Sequence, residues 1–190
     1  MDERIRKIDE QLLAHDWGKL TKVTLDYRRN DGRWQRMSRE IYDHGSAAAM
    51  LLFNPARETV LLVRQFRYPV LENGDNPDFL EVCAGLLDGE APEIAAMREA
   101  LEETGHAPTD IRHICDIYAS PGSLTEKCHL FIGHYDEATR QTAGGGIEAE
   151  GEEIELVELD LAEALTMIAD GRILDAKTVV LLQNLAMSWR

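Results

Sequence analysis

AGLLDGEAPEIAAMREALEETG, residues 84–105, is the stretch whose reading decides the fold. Pro92 and Gly105 bracket a helix expected over Pro92–Thr104, because proline suits the first helical turn and glycine accepts the left-handed conformation that closes one. Arg98, Glu99, Glu102 and Glu103 fall within six residues of that helix. Glutamates at i, i+3 and i+4 share one face. Like charges there cost roughly 0.2–0.5 kcal/mol per i,i+4 pair. A hard divalent cation removes the conflict, and oxygen-only ligation is what Mg²⁺ or Mn²⁺ prefers. The competing reading is a solvated acidic helix face, and the flanking residues must decide.

Working outward, Phe79–Ala84 reads as a strand leading into this segment. Before it, Ala47–Asn54 and Thr59–Phe66 are near-continuous apolar runs, the pattern of strands buried on both faces. The loop Glu72–Pro77 is rich in turn formers. Leu20–Arg29 and Trp34–Tyr42 flank Asn30-Asp31-Gly32, a strong hairpin signal. Residues 2–16 carry Ile5, Ile8, Leu12 and Leu13 among charges and read as a short amphipathic helix or an irregular arm. After the helix, strands are expected at Ile111–Ala119, Cys128–Tyr135 and Ile154–Leu159, and helices at Leu161–Ala169 and Lys177–Trp189. Strands and helices mix without regular βαβ alternation, which points to an α/β sandwich and away from a doubly wound sheet.

The 190 residues suffice for one large domain, or for one domain with a small extension, and 44 % apolar content is ordinary for a globular chain. A formal charge of -15 argues against nucleic-acid and anionic-membrane partners, which need basic surface. Cys83, Cys115 and Cys128 form no C-x-x-C pair and lie in apolar stretches, so reduced buried thiols are expected. The charged N-terminus lacks a signal-peptide core, and no apolar run approaches the roughly 18 residues of a membrane span. A cytoplasmic location is the expectation.

Gly85…Glu90…Arg98-Glu99-Ala100-Leu101-Glu102-Glu103-Thr104-Gly105 resembles the Nudix box, without mismatch in its second half. The loop Leu86–Gly89 is one residue shorter than in the usual box, which leaves the role of Glu90 open. Arg64-Gln65-Phe66-Arg67 and Ser120-Pro121-Gly122 look like the nucleotide-sugar branch of that family. The short box, Ala143-Gly144-Gly145-Gly146 and Asp175-Ala176-Lys177-Thr178 look like a bacterial group within it that acts on GDP-mannose.

The resemblance implies an α/β/α sandwich with a mixed sheet over residues 45–190, and a β-rich N-terminal arm over residues 1–44 swapped across a homodimer. It implies a metal site of Glu99, Glu102, Glu103 and the Ala84 carbonyl, completed by a carboxylate from the acidic loop. Glu150 aligns best with that loop ligand, with Glu152 and Glu153 close behind. Glu103 and Glu150 are the candidates for the catalytic base, with Arg98 orienting a glutamate through a charge-assisted hydrogen bond. Substrate contacts carried over on matching positions are Arg67 on the diphosphate, Gly85 and Leu86 beside it, and Glu126 and Lys177 nearby. Arg39 and Glu40 would reach the partner's nucleotide, and Trp17 would stack on the base of the substrate or else pack in a core. An exposed strand face or a surface ion pair is the plain alternative for the charged members.

The glycine run 144–146 reads as a mobile hinge. His106, His113 and His129 lack metal-ligand spacing and read as structural. The implied activity is Mg²⁺-dependent hydrolysis of a nucleotide-sugar diphosphate, GDP-mannose to GMP and mannose 1-phosphate, with ADP-ribose as the competing substrate. A noncatalytic sugar-nucleotide sensor would be expected to lose box carboxylates, and this chain keeps Glu99, Glu102 and Glu103.

Overall fold

The computed structural model describes residues 2–189, apart from the side chain of Glu150. The chain divides into two compact units, one made of the residues up to Ser46 together with Tyr118–Lys127, the other of Ala47–Ile117 and the chain from Cys128 onward.

In the first unit, β1 (Ile5–His15), β2 (Lys19–Arg28) and β3 (Trp34–Asp43) form an antiparallel sheet in sequence order. The β2–β3 hairpin turns at Gly32 with φ +85°, as the Asn-Asp-Gly signal predicts. β1 overturns the expected helix or arm. It pairs with β2 from Ile5↔Tyr27 to His15↔Lys19, with register shifts between Lys7 and Asp9 and between Leu12 and Ala14. Each shift leaves one residue, Ile8 and then Leu13, outside the paired register. Such irregularities break the two-residue alternation of a strand, so the apolar spacing imitates a helix. No side chain of the three strands is buried within this unit. The Ser120-Pro121-Gly122 turn closes with Leu124 N–H on the Ser120 carbonyl at 2.9 Å. Beyond it, Thr125 N–H and hydroxyl reach the Tyr42 carbonyl and Asp43.

The second unit is built on a seven-stranded mixed sheet. β10 (Glu155–Asp160), β5 (Thr59–Phe66), β4 (Ala47–Asn54), β9 (Lys127–His134) and β8 (Thr109–Tyr118) lie in that order. β4 and β9 run parallel, while β4 with β5 and β5 with β10 are antiparallel. All eight residues of β4 are buried, as its apolar run predicts. Alternate β4 side chains point to opposite faces. Ala49, Leu51 and Phe53 share one core with Ala164 of α3 (Leu161–Ala169) and Leu181, Leu182 and Leu185 of α4 (Ala176–Ser188). Ala48, Met50 and Leu52 share the other with Ala95, Ala96 and Ala100 of α2 (Pro92–Thr104). The result is an α/β/α sandwich. A short helix, α1 (Tyr68–Glu72), with Pro69 in its first turn, precedes the turn-rich loop.

The single strand expected at Phe79–Ala84 is two. β6 (Asp78–Glu81) pairs with β5, whereas β7 (Cys83–Leu86) pairs with β4. The chain changes partner at Val82, whose N–H donates to the Thr178 hydroxyl at 2.9 Å in place of a ladder bond. This crossing sets Glu81 and Gly85 on separate strands beside α2.

Helix α2 ends as predicted, with Gly105 left-handed at φ +78°. The glycine run after Ala143 is no free hinge. Gly145 and Gly146 donate to the carbonyls of Glu103 and Glu102 at 2.8 and 3.1 Å, docking the loop on the helix end. A Cβ on Gly105 would lie 2.3 Å from the Thr142 carbonyl oxygen, and one on Gly144 2.6 Å from that of Glu103. Backbone cannot yield cheaply, and both positions need positive φ. Gly105→Ala is expected to cost about 2 kcal/mol or more of stability in urea denaturation, through strain at φ > 0 plus loss of this docking.

Candidate metal centre and substrate site

Helix α2 lies on the sheet through alanines, and that close approach carries two of its carboxylates inward with them. Glu99 and Glu103 are 8 % and 1 % exposed, and Glu102 is half-buried. Across from Glu99 stands Gly85 of β7, where a Cβ would fall 1.9 Å from a Glu99 carboxylate oxygen. Only a residue without a side chain leaves that carboxylate its place.

Arg98 ties the box together. Its Nε donates to Glu90 at 2.9 Å, one terminal nitrogen to Glu99 at 2.7 Å and Glu102 at 3.0 Å, and the other to the Leu86 carbonyl at 3.0 Å. Glu90, despite the short loop, is therefore an anchor of Arg98. Leu86 likewise meets Arg98 through its carbonyl. These charge-assisted bonds are stronger than neutral ones and fix the helix against the box loop.

Glu103 has no such partner. Among the described residues its buried Oε2 receives no hydrogen bond. Burial pushes its carboxyl well above the usual range, and the charges of Glu99, Glu81 and Glu152 push it further, opposed by Arg67. Burial likewise raises Glu99, with Arg98 opposing. A buried carboxylate lacking a donor is costly, and a cation satisfies it. The donor set is all oxygen, which fits a hard divalent ion such as Mg²⁺. Glu99, Glu102 and Glu103 are the side chains of the box that could hold it.

The acidic loop adds Glu152, whose Oε2 accepts the Ile147 N–H at 2.8 Å and whose charge acts on both Glu99 and Glu103. The Glu150 side chain, the leading candidate from the sequence, lies outside the described residues. Glu152 and Glu153 line an open cleft of ≈ 820 Å³ with Arg64, Gln65 and Phe66.

Behind the box lies a cation pair on one buried acid. Arg67 Nε donates to Glu81 at 2.6 Å, and Lys177 Nζ stands 3.4 Å from the other Glu81 oxygen and 2.7 Å from Asp175. Asp175 caps the last helix, accepting the Thr178 N–H at 2.9 Å, and Lys177 stands in its first turn. Sequence reading missed Glu81. Its one signal was a lone charge inside the apolar run Phe79-Leu80-Glu81-Val82-Cys83, where an unpaired acid is rarely tolerated.

Trp17, Arg39, Glu40 and Glu126 belong to the first unit. Trp17 is 71 % exposed there, stacked on His44 at 4.9 Å between ring centroids and 19° between planes, so it is not a core residue of that unit. Glu126 approaches the same imidazole at 3.9 Å, and the buried His44 Nδ1 has no partner among the described residues. His44 thus joins Trp17 to Glu126, a link between distant chain positions that the sequence did not signal. Arg39 and Glu40 are exposed on β3.

His113, Asp116 and His129 do come together, contrary to the spacing argument, with ligand atoms within 4.8 Å of one another. Both imidazoles already bond to Asp116 Oδ1, at 2.7 and 2.8 Å. Cys83 and Cys128 are buried and Cys115 only half-buried, and none of the three is in a disulfide among the described residues. Among the described residues, no helix is long and apolar enough to cross a membrane.

A sandwich with a strand–loop–helix carboxylate box defines a class, and comparison agrees: the family model described as "NUDIX domain" matches residues 43–179. The chain belongs to the Nudix hydrolase family. A second model, "GDP-mannose pyrophosphatase NudK N-terminal domain", matches residues 4–42. The chain is 45 % identical over 185 residues to the GDP-mannose pyrophosphatase of Pectobacterium atrosepticum, covering 97 % of this chain and 95 % of that protein. It is 44 % identical over 189 residues to the GDP-mannose pyrophosphatase of Cronobacter sakazakii, covering 98 % and 97 %. The protein of that name from Escherichia coli O157:H7 is 43 % identical over 189 residues, covering 99 % and 98 %.

Proposed function

We propose that this chain hydrolyses the diphosphate of a nucleotide sugar with Mg²⁺, and that GDP-mannose is its preferred substrate, giving GMP and mannose 1-phosphate. The observation that carries the reaction is the buried Glu103 oxygen without a hydrogen-bond partner among the described residues, surrounded by the charges of Glu99, Glu81 and Glu152. The substrate preference rests on similarity of 42–45 % over nearly the whole length to proteins named GDP-mannose pyrophosphatase.

Glu99, Glu102, Glu103 and the Ala84 carbonyl hold the ion, with Glu150 or Glu152 completing the set from the loop. Mn²⁺ suits the same donors. A bound divalent ion supplies charge neutralisation at the phosphoryl oxygens and lowers the pKa of a coordinated water. Arg98 holds the Glu99 and Glu102 carboxylates in place. Arg67 and Lys177 meet the negative charge of the diphosphate, and Arg67 compensates the charge that grows in the transition state. Water adds to one phosphorus, the bond from that phosphorus to the bridging oxygen breaks, and a loop or box glutamate takes the water's proton. The freed phosphate leaves as the second monoester. Gly85 and Leu86 flank the substrate with backbone, and Trp17 and Glu126 recognise the base end.

The active unit is a homodimer in which the N-terminal arm, residues 1–44, is exchanged so that Arg39 and Glu40 serve the partner's nucleotide. A three-stranded sheet that buries no side chain of its own, with Ile8 and Leu12 about half exposed, gains the missing apolar contact this way. Its location is cytoplasmic, and neither nucleic acid nor membrane is a partner of so acidic a chain.

Steady-state kcat/KM over a panel of nucleotide sugars with Mg²⁺ tests the reading. We expect GDP-mannose to exceed ADP-ribose by at least about tenfold, a difference of about 1.4 kcal/mol in transition-state binding. A reversed order would reassign the substrate to ADP-ribose. Binding without turnover of any member would favour a sensor.

A further inference from the structure

We propose that Glu81 is a positioning residue for the reaction: it fixes Arg67 and Lys177 as a pre-set cation pair for the diphosphate. The inference rests on the nucleotide-sugar reading above. Glu81 is 2 % exposed, at the point where the chain crosses from β6 to β7. One of its oxygens accepts the Arg67 Nε–H at 2.6 Å, and the other faces Lys177 Nζ at 3.4 Å. Among the described residues Arg67 uses only Nε, which leaves both terminal nitrogens for an anion, and a guanidinium can grip phosphate with two parallel N–H donors. Arg67 lies near enough to Glu103 for their charges to interact, so the cation pair borders the box.

The far side of the anchor is equally determined. Lys177 also donates to Asp175 at 2.7 Å. Asp175 accepts the Thr178 hydroxyl at 2.6 Å, and that hydroxyl accepts the Val82 N–H at 2.9 Å. The strand crossing and the start of α4 are thereby tied to one buried acid. Buried ion pairs contribute little net stability compared with apolar packing. A buried acid between two cations at the edge of the box is therefore better explained by the geometry it imposes than by the stability it adds.

A kinetic double-mutant cycle tests this on the full chain with GDP-mannose and Mg²⁺. Glu81→Gln, nearly isosteric, is expected to lower kcat about 30-fold with KM changed less than about threefold, because a loosened arginine keeps its charge and loses its aim. In an Arg67→Ala background the same substitution should cost less than about tenfold, the part that passes through Lys177. Glu81→Asp, which keeps the charge but withdraws it by one methylene, should fold, lose an intermediate amount and show the same non-additivity. It also serves if Glu81→Gln does not fold. Equal losses with and without Arg67, or full activity in a folded Glu81 variant, would overturn the assignment while the unaltered chain still turns over. Absence of hydrolysis by the unaltered chain would instead overturn the reading of function, and the assignment with it.

Discussion

Glu103→Gln is expected to lower kcat by about 10³-fold or more, equivalent to about 4 kcal/mol of transition-state stabilisation, with the fold intact. Glutamine fills the same volume beside Ala100, so the packing of α2 on the sheet is undisturbed. What disappears is the carboxylate whose buried oxygen has no partner among the described residues. In the absence of metal the variant should melt no lower than the unaltered chain, because it no longer carries a buried acid destabilised by Glu99, Glu81 and Glu152. Mg²⁺ at about 100 times its Kd should add about 2.7 kcal/mol to the unaltered chain and far less to the variant. Thermal melts with and without MgCl₂ read this directly. A variant that turns over normally, or is stabilised equally by Mg²⁺, would remove Glu103 from the metal site.

Gly85→Ala tests the same centre from the other side. The added methyl would sit 1.9 Å from one Glu99 oxygen and 2.7 Å from the other. The obstacle is the end of a side chain and not backbone, so the chain can fold by turning Glu99 away. Turning it away breaks the 2.7 Å bond to Arg98 and withdraws a ligand. We expect kcat/KM to fall about 100-fold, with the Mg²⁺ concentration for half-maximal activity raised at least about tenfold and the urea midpoint changed by little, since a displaced ligand costs function more than packing. Unchanged Mg²⁺ dependence would mean that Glu99 is not a ligand.

Local sequence signals gave α2 its limits because both of its ends are set by the chain itself, Pro92 at the start and Gly105 at the stop. β4 and β5 were equally legible, since a strand buried on both faces leaves a continuous apolar run. β1 was not, because its two register irregularities scramble the alternation by which a strand is recognised. The split between β6 and β7 depends on Thr178, far along the chain, satisfying Val82.

The site divides in the same way. Glu99, Glu102 and Glu103 are neighbours on one helix and could be read together, but Glu81 and His44 matter only through contacts formed in three dimensions. The acidic loop is the intermediate case. Its glycines were visible, yet their docking on the end of α2, and the approach of Glu152 to the box, required the folded chain.

The most direct measurement of the central claim is ³¹P NMR of GDP-mannose incubated with the purified full-length chain, with Mg²⁺ and again with excess chelator. The two diphosphate resonances should be replaced by two monoester resonances, those of GMP and mannose 1-phosphate, in equal amounts and only when Mg²⁺ is free. Persistence of the diphosphate with Mg²⁺, release of GDP with free mannose, or cleavage unaffected by the chelator would contradict it.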